Sequence, residues 1–324
     1  MREAIASAEV GDEQEREDPT VLELEQRMAA LLGHDEAVYL PTATMANQIA
    51  LAILGERGTE LVVEESAHLM VHELGGAAYH SGLQTRGVPG RLGRFSPEQI
   101  EATTVSDSGF HTPRTSVVAV ENTHNTSGGT IWPLDELQAV LAACREHGLA
   151  AHLDGARLFN AAVALGVPPA DLAGGFDTVT VCLSKGLGCP LGALIAGSAG
   201  LMGRARLEKH RFGGAMRQAG VVAASGLYAL DHERARRLAV GWQAQGLPVD
   251  LERVQTNFVQ VDVGALEVGE DDAVARLSAA GVALSRTMRP GVIRAVTHLD
   301  VDDDDIDRAI EIVPRALGVA VAGV

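Results

Sequence analysis

The stretch at residues 177–198, DTVTVCLSKGLGCPLGALIAGS, decides the fold. Its first seven residues are mostly short β-formers and predict a buried strand, and residues 191–196 predict a second strand. The tripeptide Ser184-Lys185-Gly186 separates the two, so a lysine stands at the end of a buried strand in a glycine-rich corner. Taken alone, Lys185 is best interpreted as a surface loop residue. The alternative is a nucleophilic lysine held in a partly apolar pocket.

A second stretch, residues 150–160 (AAHLDGARLFN), favours the alternative. Residues 150–153 predict another strand, and Asp154 ends it. A strand, a helix and a second strand in this order predict a βαβ unit, which places Asp154 and Lys185 near the same carboxyl edge of a parallel sheet, where ligands bind. A lysine that forms a Schiff base and an aspartate that pairs with a pyridinium nitrogen are the two parts that a pyridoxal phosphate (PLP) site needs.

Composition limits the other possibilities. The chain has 324 residues, of which 46% are hydrophobic, so it can bury a large core. A net charge of −17 argues against nucleic acid and anionic membrane surfaces as partners. The three cysteines show neither paired nor metal-site spacing, and no apolar run predicts a membrane span or signal peptide. We therefore expect a cytoplasmic protein with reduced thiols and no metal site.

Four motifs carry a family resemblance: HLDGAR, CLSKGLG, ENTHNTSGG and GGAMRQAG. Together they resemble the low-specificity L-threonine aldolases, PLP-dependent enzymes of fold type I in the β-eliminating lyase and aldolase group. The resemblance runs from GDE near the start to IRAVTH near the end. It implies an α/β fold like that of aspartate aminotransferase, with a mainly parallel seven-stranded sheet. We place the large PLP-binding domain at residues 1–236 and a small α+β domain at residues 237–324.

The resemblance also implies how PLP is held. Lys185 would carry the cofactor, Asp154 would keep its ring nitrogen protonated, and Arg157 would bond its phenolic oxygen. Ala43 and Thr44 lie in a small-residue turn that opens a helix, where free backbone N–H groups can bind the phosphate. An ordinary N-cap by a threonine is the alternative interpretation of this turn. The family has glycine where Ala43 stands, and alanine can keep the turn if its φ is negative.

Four further residues acquire expected roles from the resemblance. His68 would stack on the pyridine ring and also take part in proton transfer, and His124 would bond the β-hydroxyl of a bound amino acid. The base is open between His68, His124 and an ordered water. Arg294, inside a predicted strand, would hold the substrate carboxylate. Arg217 would reach the phosphate from a neighbouring subunit, which implies a homodimer or homotetramer with shared active sites.

The expected reaction is cleavage of L-threonine, L-allo-threonine and related β-hydroxy-α-amino acids to glycine and an aldehyde. Two alternatives stay open: another PLP-dependent lyase (a phenylserine aldolase or a β-eliminating enzyme), or a PLP-binding paralogue with little turnover. The second arises because the family's N-terminal arm is expected to be missing, Glu15-Arg16 replaces the usual Tyr-Gly, and the segment after Leu230 is shorter than in relatives. These departures predict low activity.

Overall fold

The computed structural model describes residues 1–106, 110–230, 234–254, 258–287, 289–297, 301 and 303–319. They form two compact units, Arg2–Ala229 and Leu230–Val324. The expected domain boundary after residue 236 falls inside a helix, Arg234–Ala244, whose buried Leu238 and Trp242 belong to the core of the second unit. The shortened join after Leu230 lies outside the described residues.

The strands of the first unit are β1 (Glu36–Leu40), β2 (Glu60–Glu64), β3 (Gln84–Val88), β4 (Thr115–Glu121), β5 (Ala150–Asp154), β6 (Thr178–Cys182) and β7 (Ala193–Gly197). Its helices are α1 (Arg2–Ala6), α2 (Pro19–Leu32), α3 (Ala43–Leu54), α4 (His68–Val71), α5 (Pro97–Thr103), α6 (Leu134–Glu146), α7 (Leu158–Leu165), α8 (Pro169–Ala173) and α9 (Ala199–Arg211), and α10 (Gly220–Leu230) ends at the boundary. A π-helical turn, Ala77–Ser81, precedes β3.

The seven strands form one sheet in the order β1-β7-β6-β5-β4-β2-β3. Only β7 runs antiparallel to its neighbours β1 and β6, and the remaining pairs are parallel. Every residue of β2, β4 and β6 is buried, as expected for parallel strands that helices cover on both faces. The predicted mainly parallel, seven-stranded α/β fold is confirmed.

β3 is the strand that local pattern did not predict. Its sequence, QTRGV, lacks alternating apolar residues, and its edge position explains why it can be polar. β2 is its only neighbour in the sheet, and Arg86 of β3 forms an ion pair with the buried carboxylate of Glu60 at 2.7 Å. Tertiary pairing, rather than local propensity, makes this segment a strand.

The second unit contains α11 (Arg234–Ala244), β8 (Phe258–Asp262), α12 (Glu270–Ala279), β9 (Ser285–Arg286), β10 (Val292–Val296) and α13 (Asp303–Ala316). Its three strands form an antiparallel sheet in the order β8-β10-β9. Apolar side chains from this sheet and the three helices form its own core, which includes Trp242, Val259, Leu277, Ile293 and Val313. Helices and antiparallel strands together make this unit α+β in composition.

The structure bears on two expectations, one about the cysteines and one about membrane spans. All three cysteines lie in its described part, where they are buried and unpaired, as reduced thiols would be. None of the described helices is both long enough and apolar enough to cross a bilayer.

The loop before α2 holds a residue under backbone strain. Asp18 caps α2 by accepting a hydrogen bond from the backbone N–H of Val21 at 3.0 Å, and Pro19 occupies the first turn. Just before this cap, Arg16 has a φ of 59°, in the left-handed region that glycine tolerates best. The resemblance gives the family a glycine at the position of Arg16, so a less suitable residue takes this conformation here.

We predict that Arg16→Gly stabilises the protein, because it relieves a backbone cost of about 1 kcal/mol. The matched control is Arg16→Ala, which removes the guanidinium but keeps the Cβ. Chemical denaturation should rank Arg16→Gly above Arg16→Ala in free energy of unfolding. Equal stability of the two variants would show that backbone strain at this position is negligible.

Candidate active site

The βαβ unit brings Asp154 and Lys185 to one edge of the sheet. β5 and β6 are parallel neighbours, with Asp154 opposite Thr180, and Lys185 follows the end of β6. The turn after Lys185 closes through the backbone N–H of Gly188, which donates to the Lys185 carbonyl at 3.0 Å. The expectation that Lys185 lies in a partly apolar pocket is not met in the single chain: its side chain is exposed, because the turn projects beyond the sheet.

Asp154 is a buried carboxylate that the protein keeps fully hydrogen bonded. It is 3% exposed. Its Oδ2 accepts a hydrogen bond from Nδ2 of Asn47 at 2.8 Å, and its Oδ1 accepts one from the backbone N–H of Ala156 at 3.2 Å. Each carboxylate oxygen therefore has a donor that holds it in place at the end of β5.

His68 begins α4, beyond the end of β2, and two carboxylates hold it. Its backbone N–H donates to Oε2 of Glu121 at 2.7 Å, and its ring Nδ1 lies 2.9 Å from Oε1 of Glu73. The hydrogen bond to Glu73 raises the pKa of His68, against an opposing effect of burial, and the charge of Asp154 adds to the increase. Nε2 has no hydrogen-bond partner among the described residues, so the ring can hold or move a proton there.

Glu121, at the end of β4, accepts hydrogen bonds from two loops of the site. Its Oε2 accepts from the His68 backbone, and its Oε1 accepts from the backbone N–H of Asn125 at 2.8 Å. Nη1 of Arg157 in turn donates to Oδ1 of Asn125 at 3.2 Å. Burial, with the nearby charge of Asp154, raises the pKa of Glu121. This carboxylate thus positions the loop of His68 relative to the loop of Arg157.

His124 is placed differently from His68. Its ring is completely buried, because Gly93 lies against it: a Cβ on Gly93 would come within 2.1 Å of the ring. The backbone N–H of Ser127 donates to Nδ1 at 3.3 Å, so Nε2 carries the proton and donates to Oε2 of Glu64 at 3.0 Å. Both ring nitrogens are therefore occupied. A role for His124 in substrate binding stays a prediction, and it requires one of these bonds to open.

The turn that opens α3 fits both of its interpretations, a phosphate-binding site and an ordinary N-cap. Thr42 is the N-cap, and its Oγ1 accepts a hydrogen bond from the backbone N–H of Met45 at 3.2 Å. Ala43 is the first helical residue, so it takes a negative φ and keeps the turn without glycine. Thr44 is exposed next to it. The helix contacts the site directly, because Asn47 of α3 bonds Asp154.

The two expected arginines lie in different units. Arg217 precedes α10 and forms an ion pair with Asp12, and its side chain is 61% exposed. Its carbonyl accepts a hydrogen bond from the backbone N–H of Glu13 at 2.9 Å, which fastens the acidic N-terminal loop to this segment. Arg294 lies in β10 of the second unit, where it pairs in register with Gln260.

Sequence reasoning gave no role to Asn47, Glu73 or Glu121, although all three are central to the site. Asn47 is 1% exposed and Glu73 is 5% exposed. Their signal in the sequence was a polar residue among apolar neighbours, which is expensive to bury without partners. One ligand atom each from His68, Glu73 and Asp154 lies within 4.8 Å of the others. These atoms already bond to one another or to Asn47.

We predict that Glu73→Gln lowers the pKa of His68. The carboxylate is the main cause of the raised pKa, so without it the imidazolium should lose its proton at lower pH. The measurement is an NMR titration of the His68 ring, with the signal assigned by its loss in His68→Gln. Glu65→Gln is the matched control, since Glu65 is exposed and close in sequence. An unchanged His68 titration in Glu73→Gln would contradict the assigned pairing.

Comparison with known proteins identifies the family of this chain. The family model described as β-eliminating lyase matches residues 1–301. Low-specificity L-threonine aldolase 1 of Arabidopsis thaliana is 35% identical over 332 residues, covering 98% of this chain and 92% of the relative. The low specificity L-threonine aldolase of Escherichia coli (strain K12) is 37% identical over 316 residues, covering 94% and 92%.

A solved structure supports the fold assignment. Threonine aldolase of Leishmania major superimposes with a TM-score of 0.61 at 22% identity, covering 93% of this chain and 90% of that one. At this identity the likeness concerns the fold, and it agrees with the expected fold type I architecture. The sequence relatives and the family model together settle membership: the chain belongs to the β-eliminating lyase family and, within it, to the low-specificity L-threonine aldolases, which are carbon–carbon lyases.

Proposed function

We propose that the protein is a PLP-dependent aldolase that cleaves L-threonine, L-allo-threonine and related β-hydroxy-α-amino acids to glycine and an aldehyde. The observation that carries the proposal is the common edge of β5 and β6. There a buried, hydrogen-bonded Asp154 and an exposed Lys185 end neighbouring parallel strands. Membership in the family supports the choice of reaction.

The residues at this edge fit PLP by their chemistry. The free backbone N–H groups at the start of α3, at Ala43 and Thr44, suit a phosphate. Asp154 suits a protonated ring nitrogen, Arg157 suits the phenolic oxygen, and His68 suits the ring face. The bound cofactor supplies an electron-accepting ring, which stabilises the charge left when a bond to Cα breaks.

The protein's own groups then bind the substrate and move its protons. Lys185 would hold the cofactor, since a lysine amine can form a reversible covalent link to an aldehyde. We assign Arg294 to the substrate carboxylate, since a guanidinium binds a carboxylate in bidentate fashion. His68 is the better placed base of the two histidines, because its Nε2 is available while both nitrogens of His124 are occupied. It would accept the β-hydroxyl proton directly or through a water.

We predict that Lys185→Ala abolishes covalent PLP attachment and glycine formation from L-threonine. The chain contains only two lysines, Lys185 and Lys209, so a linkage trapped by borohydride can be assigned unambiguously by mass spectrometry. Lys209→Arg is the matched control. Lys209 is buried in an ion pair with Glu13, which arginine can keep, so this variant should retain both the visible absorbance band and turnover.

The outcomes separate the parts of the proposal. PLP trapped on Lys185→Ala would refute Lys185 as the anchor. A wild-type protein that traps PLP on Lys185 but forms no glycine from L-threonine, L-allo-threonine or phenylserine would refute the aldolase reaction while keeping the cofactor site.

We further propose that the enzyme is at least a homodimer in which Arg217 reaches the neighbouring subunit's phosphate. The exposure of its side chain supports this, since an exposed guanidinium can contact a partner subunit.

We predict that Lys185→Ala and Arg217→Ala are each inactive, and that subunit exchange between them restores activity. Random reassortment of dimers should give about one quarter of wild-type sites. A lack of recovery, or a fully active monomer in sedimentation, would contradict shared sites.

A further inference from the structure

Asn47 lies between two of the buried carboxylates of the site, those of Glu73 and Asp154. It lies in α3, about one turn beyond the predicted phosphate-binding N-terminus, and it is 1% exposed. Its Nδ2 donates one hydrogen to Oε1 of Glu73 at 2.9 Å and the other to Oδ2 of Asp154 at 2.8 Å. A single amide group therefore serves both acids.

A buried histidine fixes which way the Asn47 amide points. Oδ1 of Asn47 lies 3.2 Å from Nε2 of His152, and Nδ1 of His152 lies 2.8 Å from the hydroxyl of Thr178. Because Nδ2 must face the two carboxylates, Oδ1 accepts the Nε2 proton of His152, and Nδ1 accepts the hydroxyl proton. Burial lowers the pKa of His152 to about 4, so the ring is neutral. Every donor and acceptor of the Asn47 side chain is then used.

The two acids differ in what else supports them. Glu73 also accepts hydrogen bonds from Nε2 of Gln48 at 2.6 Å and from Nδ1 of His68. Among the described residues, Asp154 accepts hydrogen bonds only from Asn47 and from the backbone N–H of Ala156. Loss of the shared amide therefore removes one of two donors to Asp154, whereas Glu73 keeps two others. The other charged or titratable groups acting here are Lys185 and Glu121.

We infer that Asn47 is a positioning residue: it holds Asp154 charged and aimed at the PLP ring nitrogen while Glu73 orients His68. The inference rests on the proposed function, because it assumes that Asp154 is the partner of that nitrogen. It assigns to α3 a second task beyond phosphate binding. The helix that offers its N-terminus to one end of the cofactor also controls the carboxylate at the other end.

The test compares Asn47→Leu with Gln48→Leu. The first variant removes the donor that Asp154 and Glu73 share, and the second removes a neighbouring donor that serves Glu73 alone. Each holoenzyme is loaded with PLP carrying ¹⁵N in its ring, and the ¹⁵N chemical shift is followed against pH. Asn47→Ala is a second test variant, since it removes the same donor without adding a charge or extra volume. Thermal unfolding of each apoprotein confirms that the variants are folded.

In the wild type and in Gln48→Leu, the ring nitrogen should stay protonated throughout the pH range in which the protein is folded. In both Asn47 variants it should lose its proton within that pH range. PLP should also dissociate about tenfold more readily. A ring nitrogen that stays protonated throughout the folded range in Asn47→Ala, with wild-type PLP affinity, would overturn the inference and leave the proposed function intact. Failure of the wild type to attach PLP to Lys185 would overturn both.

Discussion

The parallel pairing of β4, β5 and β6 is the constraint on which the rest of the site depends. Parallel strands end at the same edge of a sheet, so this pairing brings Glu121, Asp154 and the Lys185 turn together from distant parts of the chain. The antiparallel β7 then fastens that turn, since the backbone N–H of Leu183 donates to the Gly192 carbonyl at 2.9 Å. Backbone hydrogen bonds thus bring the Lys185 turn and Asp154 to the same edge of the sheet.

Buried charge is the second feature of this edge. Glu73, Glu121 and Asp154 are each at least 93% buried, and burial of a carboxylate is costly unless hydrogen bonds compensate for lost water. The structure supplies amide, imidazole and backbone donors from α3, α4 and the loop after β4. The hydrogen bonds that offset the cost of burying these acids also hold His68 and the Arg157 loop in place. Stability of the network and geometry of the site therefore have one physical origin.

The two histidines show how environment separates residues of one type. His68 has one nitrogen bonded to Glu73 and the other available, whereas His124 is sealed behind Gly93 with both nitrogens in use. Their sequence contexts are alike, because each follows a buried strand with a polar turn. The distinction depends on Glu64 and Gly93, which approach His124 from elsewhere in the sheet and its connecting loops. It favours His68 as the group that moves a proton.

The sequence by itself determined the α/β class, the strand-ending Asp154 and Lys185 and their common edge, because strand periodicity and βαβ order are local properties of the chain. Only the tertiary structure decided that polar QTRGV becomes an edge strand, that Lys185 is exposed, and that Asn47 links two acids. The Asn47–Asp154 bond joins residues 107 positions apart. Such contacts depend on how helices and strands pack, and a single side chain's partners are not encoded in its neighbours along the chain.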